Sequence, residues 1–415
     1  MIERITVLGG SSVYTPELIQ SLVSHNLTVK EVVLVGRSGS KLSIVARFCQ
    51  RMIARTGFPL AIHHTTDFEA GIRGARYVVN AMRVGGMPAR ARDEKIPPQF
   101  GMLGDETLGA GGIANALRTL PVVFDIARVI ESVNPQAILI NLTNPLGIII
   151  EALGRYTKVN AIGVCDLPAL TVKRIAEVLR CPPGEITVDY VGLNHLGWIQ
   201  DVKIDGRSYM TYLLDKLGQS REEGFDHELI GLFRMIPTRT VGLFYHQLES
   251  LKKQHNHEPS RAEVLQEAEQ QILRSYQDEH LHEIPELARE RNAVWYEECI
   301  VPLIEALESK SGRCMVLCVR NGETIRDFSE ESSIEAPVWV GRKEWRTKPI
   351  GSCPRFMRGL CIAVKESDRL IIEAARHKSY ECALQALAVH PLVPSVRSAK
   401  KFLDYLAKED GLELH

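Results

Sequence analysis

A glycine turn held between an apolar strand and a helix is the tightest constraint on this chain. The stretch "RITVLGGSSVYTPELIQSLVSH" (4–25) reads as a strand, a turn at Gly9 and Gly10, and a helix with Pro16 in its first turn. Proline is tolerated there because that N–H has no helical partner anyway. The same alternation continues. "EVVLVG" (31–36), "LAIHHTT" (60–66), "RYVVNAM" (76–82), "AILINLTNP" (137–145) and "VNAIGVC" (159–165) read as short apolar strands. Helical runs separate several of them, "KLSIVARFCQRMIAR" (41–55) among them, and "IANALRTLPVVFDIARVIESV" (113–133) reads as one or two helices interrupted at Pro121. Continuous apolar strands alternating with helices predict an α/β, Rossmann-like, doubly wound parallel sheet.

The pattern changes after about residue 185. "ITVDYVGLNHLGWIQDVKIDG" (186–206) reads as longer β segments, and mostly helical sequence follows. This predicts a dinucleotide-binding domain over 1–190 and an α+β substrate domain over 191–415. With 415 residues the chain exceeds one ordinary core. Its net charge of −1 lacks the basic footprint of a nucleic-acid or anionic-membrane binder. No apolar run reaches the roughly 18 residues of a spanning helix. The first residues read as a strand rather than a signal peptide. Nine scattered cysteines fit reduced thiols and a cytoplasmic setting.

The turn "VLGGSSVYTP" (7–16) is placed to hold a pyrophosphate, with Gly9 and Gly10 making the bend and Ser11 and Ser12 offering hydroxyls. The bland alternative is a plain strand-to-helix turn. The second strand ends in "VGRSGS" (35–40), with no acid for a ribose hydroxyl. Arg37 and Ser38 would suit a 2′-phosphate, favouring NADP, unless Arg37 is merely a solvated loop residue. "RVGGMPARARDEKIPPQFGMLGDETLGAGG" (83–112) reads as a long glycine-rich loop carrying Arg90, Asp93, Glu94 and Glu106. "NLTNP" (141–145), "GVCDLP" (163–168) and "GLNHLGW" (192–198) place Asn144, Cys165, Asp166 and His195 where strands stop. On spacing alone Cys165 and His195 match no metal-site pattern, and a lone Cys or His is usually packed core. Cys314 and Cys318 read as core, and His255 and His257 as an exposed turn.

Taken in order, "GGSSVYTPEL", "RVGGMPARARDEKIP", "GDETLGAGGIANALRTLP", "LTNPLGIIIEA", "GVCDLP" and "GLNHLGW" resemble glycoside hydrolase family 4. The likeness runs over nearly the whole chain, with "VRNGETI" (319–325) and "LQALAVHPLVPS" (384–395) further on. It implies a lactate/malate-dehydrogenase-like nucleotide domain, NAD, and a divalent cation such as Mn²⁺. It implies that Cys165 and His195 bind the cation, Glu106 stands beside it, and Asp166 is the general acid. Arg90 and Asn144 would contact the sugar, and Arg291 its 6-phosphate. Asp166 resembles the phospho-α-glucosidases, while "PARARDEKIP" looks equally like the phospho-β members, so the anomer stays open. One departure stands out. "MIPTRTVGLFYHQ" (235–247) has Thr240 where the family has its catalytic Tyr, and Tyr245 is what survives of the aromatic run. Tyr245 or a water is then left as the base.

The resemblance implies a glycosidase that works by oxidation at carbon 3, elimination, then water addition. The substrate would be a 6-phosphorylated glycoside, and the assembly a homodimer or homotetramer. Two alternatives are an NAD(P)-dependent 2-hydroxyacid dehydrogenase, which would not need Cys165, and a catalytically silent sugar- or nucleotide-binding protein, which the missing Tyr would suit.

Overall fold

The computed structural model describes all residues except 220–221, 256–258, 292–293 and 410. Six strands, β1 (Ile2–Leu8), β2 (Val29–Val35), β3 (Ala61–Thr65), β4 (Tyr77–Asn80), β5 (Ile138–Asn141) and β6 (Asn160–Gly163), form a parallel sheet in the order 3-2-1-4-5-6. That is the doubly wound dinucleotide-binding order, which reverses direction between β1 and β4. Strand residues are buried on both faces. Ile5 and Val7 of β1 join one core cluster, whereas Leu8 of β1 and Val78 of β4 join another.

The sheet does not stop at β6. It continues through β11 (Arg313–Arg320), β12 (Ser333–Gly341), β7 (Ile186–Leu193), β8 (Leu196–Ile204) and β10 (Ile236–Pro237), all antiparallel. Two short strands, β9 (Arg207–Ser208) and β13 (Glu344–Thr347), pair with β8 and β12. The join is narrow. β6 meets β11 through the single pair Gly163 and Cys318, and β7 meets β12 through Gly192 and Glu335.

Register places the site. Leu8 pairs with Val35 and Asn80, Asn80 with Asn141, and Asn141 with Gly163. The carboxyl ends of five parallel strands therefore stop in one row, and the segments after them share one edge.

Three expectations need correction. The stretch 83–112 is not a loop: Gly86–Gln99 is a helix, and a second helix begins at Gly109. Its glycines and prolines sit at the ends. Gly85 and Gly86 have φ of 81° and 66° and turn the chain into the helix, while Pro97 and Pro98 occupy its last turn. Second, one continuous helix spans Gly109–Val133 through Pro121. Its buried stripe of Leu117, Leu120, Val123, Ile126, Ala127 and Ile130 runs past the proline. A proline costs about 3 kcal/mol in a helix, less than this stripe contributes as a whole, at roughly 1.5–3 kcal/mol for each large buried side chain. Third, Cys318 is core but Cys314 is exposed, because it lies at the entrance of β11 where the sheet face is uncovered. All nine cysteines are unpaired. No helix among the described residues is long and apolar enough to cross a membrane.

Candidate active site

A cleft of about 1730 Å³ lies along the row of strand ends. At one end is the glycine turn. A Cβ on Gly9 would come within 2.7 Å of the Ala81 carbonyl, and one on Gly10 within 2.7 Å of the Leu34 side chain. Glycine is required at both positions because the turn lies directly on β2 and on the segment after β4. The Gly9 and Gly10 N–H groups both donate to the Val35 carbonyl, at 2.9 and 3.0 Å. These two residues thus shape the turn, and Ser11 and Ser12 present it to the cleft. Arg37, Ser38 and Lys41 line the cleft beyond the end of β2.

Deeper in, β6 delivers Cys165 at the cap of the helix Asp166–Leu179. Its Sγ stands 4.0 Å from the Asp166 Oδ1. From the antiparallel half, the two-residue tip between β7 and β8 delivers His195, with φ of 62°. A positive φ is uncommon away from glycine, and here the backbone is tied down. The Thr240 hydroxyl donates to the His195 carbonyl at 2.7 Å. Burial drives the His195 ring down to about 4, so it is neutral near pH 7. Its Nδ1 is buried with no hydrogen-bond partner among the described residues. Burial, then the Glu335 and Asp166 carboxylates, push the Cys165 thiol well up.

These two donors fit a divalent cation. An orphaned buried nitrogen costs about 1–3 kcal/mol, and a cation would both satisfy it and deprotonate the thiol. No group of three or more His, Cys, Asp or Glu that could hold a metal occurs among the described residues. A cation held by Cys165 and His195 would keep open positions for substrate oxygens, as a catalytic site must. A buried carboxylate missed by sequence reading lies behind them. Glu335 accepts from the Tyr190 hydroxyl at 2.5 Å and from the Asn194 amide at 3.2 Å. Burial lifts Glu335 to about 7. Only the unforeseen pairing of β12 with β7 brings it there.

On the facing wall, Glu106 pairs with Arg83 and, at 3.1 Å, with Arg90. Burial opposes its charge, but the two guanidiniums prevail and hold it at about 2. Arg90 also donates to Glu94 at 2.7 Å, and the Asn115 amide ties the Glu106 and Asn144 carbonyls together at 2.9 and 3.1 Å. Asp93 is engaged instead by Arg118, at 2.5 Å. Arg83 had no sequence signal beyond its place in the 83–112 stretch, and Asn115, three residues beyond that stretch, had none.

Arg291 lines the same cleft, its guanidinium 4.3 Å from the Tyr14 ring centre, 5.0 Å from that of Trp295 and 3.8 Å from Glu269. Asp166, Asn144, Thr240 and the unforeseen, exposed Arg239 line it too. Tyr245 does not. Thr240 lies in the 3-10 turn Arg239–Val241 and Tyr245 ends the short helix Gly242–Tyr245, where its ring packs 5.3 Å from that of Phe233. His255 is the exposed last residue of a helix rather than a turn residue, and His257 lies outside the described residues.

Two family models match the chain: "Family 4 glycosyl hydrolase" over 4–181, and its "C-terminal domain" over 190–393. A 6-phospho-beta-glucosidase of Escherichia coli (strain K12) is 32% identical over 96% of this chain and 93% of its own. The 6-phospho-beta glucosidase of Thermotoga maritima, solved with manganese, NAD+ and glucose-6-phosphate, superimposes with a TM-score of 0.92 at 30% identity, over 100% of both chains. Malate dehydrogenase of Plasmodium falciparum shares the fold at 12% identity, with a TM-score of 0.57 over 91% of this chain and 99% of its own.

Proposed function

This chain belongs to family 4 of the glycosyl hydrolases, and from that membership we propose that it is a 6-phospho-β-glucosidase working by oxidation, elimination and water addition. The observation that carries the reading is one cleft holding both the glycine turn and the half-buried Cys165 and His195. The β-linked phosphoglucoside is supported by the substrates named for the two phosphoglucosidase relatives. When bound, the dinucleotide supplies a reversible acceptor for the hydride of carbon 3, and the cation a Lewis acid for the oxygens at carbons 2 and 3. This is the nucleotide-dependent exception to the two-carboxylate scheme of glycosidases.

The chain's own residues divide the remaining work. Gly9 and Gly10 shape the turn that Ser11 and Ser12 present to the pyrophosphate. Cys165 and His195 hold the cation. Glu106, clamped by Arg83 and Arg90, stays ionised and fixes that wall, so it neither gives nor takes a proton near pH 7. Arg90 and Asn144 orient the sugar. Asp166, the first residue of its helix, gives the proton to the leaving oxygen. Arg291 faces the cleft with a planar fork suited to the 6-phosphate. Thr240 is a positioning residue for His195, its proton already committed to that carbonyl. A water beside Thr240 takes the proton of carbon 2. The nucleotide half ends near residue 190, and the hairpin beyond it brings the second cation ligand. A phosphorylated sugar is too polar to cross a bilayer unaided, which supports a cytoplasmic enzyme.

Turnover of a 6-phospho-β-glucoside in deuterated water tests this. Label should enter at carbon 2 of the product, with dinucleotide needed only in catalytic amount. Cleavage with no label and no nucleotide requirement would overturn the mechanism, and reversible oxidation without cleavage would favour a dehydrogenase.

A further inference from the structure

The cleft continues past the glycine turn to a basic end whose chemistry differs from that of a nucleotide site built for two ribose hydroxyls. Such sites place an acidic side chain at the end of the second strand, to accept from the 2′- and 3′-hydroxyls. Here β2 ends at Val35 and is followed by Gly36, Arg37 and Ser38. A Cβ on Gly36 would meet the Ser11 hydroxyl at 3.4 Å, so this segment lies directly against the phosphate-binding turn. Arg37, Ser38 and Lys41 all line the cleft, Arg37 and Lys41 as exposed side chains. The Ser38 hydroxyl lies 3.3 Å from that of Ser40 and makes no capping bond to the helix that follows.

We propose that Arg37, Ser38 and Lys41 form a 2′-phosphate site, and that this enzyme binds NADP⁺ in preference to NAD⁺. The inference rests on the dinucleotide reading of the cleft and deepens it. A 2′-phosphate carries close to two negative charges and three acceptor oxygens. Arg37 offers it a planar fork of donors, Lys41 a point charge, and Ser38 a hydroxyl. A bare 2′-hydroxyl uses none of that charge and finds no carboxylate after β2. Glu269, on the helix Arg261–Ser275, is a carboxylate whose field reaches Lys41 from another element, and it is shared with Arg291.

Calorimetric titration of the substrate-free protein with NADP⁺ and NAD⁺ decides the matter without reference to turnover. NADP⁺ should bind about tenfold tighter or more, since charge-assisted contacts to phosphate are each of that order. 2′,5′-ADP should outcompete 5′-AMP, and the NADP⁺ preference should shrink with added salt. Arg37→Ala should lower NADP⁺ affinity about tenfold while leaving NAD⁺ within about twofold. Lys41→Ala, also at an exposed position, should act in the same direction. Tighter binding of NAD⁺, untouched by Arg37→Ala, would overturn the site. If Glu269→Gln then weakened NAD⁺, the ribose would be read by Glu269 instead. Failure to bind either nucleotide would overturn the dinucleotide reading itself.

Discussion

The hydroxyl of Thr240 donates a 2.7 Å hydrogen bond to the main-chain carbonyl of His195. It pins a half-buried imidazole whose backbone sits at positive φ. Thr240→Val keeps the shape and removes the donor. A lost buried hydrogen bond costs about 1–3 kcal/mol, so Mn²⁺ affinity should fall roughly tenfold, with Thr240→Ser close to wild type. Titration of activity against Mn²⁺ reads this directly. Equal Mn²⁺ affinity in all three proteins would remove the positioning role.

Cys165→Ser should bind no Mn²⁺ and show no measurable turnover, yet remain folded. Serine is a favoured helix-capping residue, and position 165 caps Asp166–Leu179. Metal analysis after dialysis, with a thermal melt beside it, separates the two effects. A variant that retains stoichiometric metal would show that Cys165 is not a ligand.

Glu106 makes acid sensitivity specific. Its carboxyl is held at about 2, below its unfolded value near 4.3. The stability it contributes is therefore present above pH 4.3 and lost as pH falls toward 2. Glu106→Gln lacks that dependence. Denaturant midpoints of the two proteins should differ most above pH 5 and converge toward pH 2, and the variant should lose at least about a hundredfold in kcat/KM, as expected when a charged active-site clamp is broken. A pH-independent gap would refute the ion-pair account.

Pro121 predicts a gain. It sits on the exposed side of the helix Gly109–Val133. Pro121→Ala restores a backbone donor and should stabilise the protein by about 1–3 kcal/mol, read from chemical denaturation. A loss of stability would mean that the helix is shaped around the proline.

The parallel half of the sheet was legible because each strand announces itself locally. The runs before Gly9 and Gly36 end in mostly apolar residues, and helices follow them. The helix Gly86–Gln99 was not legible. Glycine and proline read as breakers unless one knows that they stand at its two ends. Cys165 and His195 carry no ligand spacing, because the sheet rather than the local sequence brings them to one cleft. The family resemblance singled them out. Tyr245 stands outside the cleft because the 3-10 turn Arg239–Val241 passes into the short helix Gly242–Tyr245, which packs its ring against Phe233, and nothing in the local sequence marks that change of pitch. Glu335 could not be found at all, since its neighbours Tyr190 and Asn194 reach it only through long-range strand pairing.

The narrow join between the two halves of the sheet sets an order of assembly. The six parallel strands are all complete once residue 163 has emerged, and the glycine turn can form with them. β7 and β8 come next along the chain, but β11 and β12, which lie between them and β6, come much later. Until those late strands dock, the hairpin bearing His195 has no fixed position relative to Cys165, and Asn194 has no Glu335 beneath it. A growing chain therefore acquires its glycine turn early and the Cys165–His195 pair late. Such non-local pairings are slow to close. During that interval the edge of β6 is an unpaired strand awaiting a distant partner, the part of this fold most exposed to wrong pairing and aggregation.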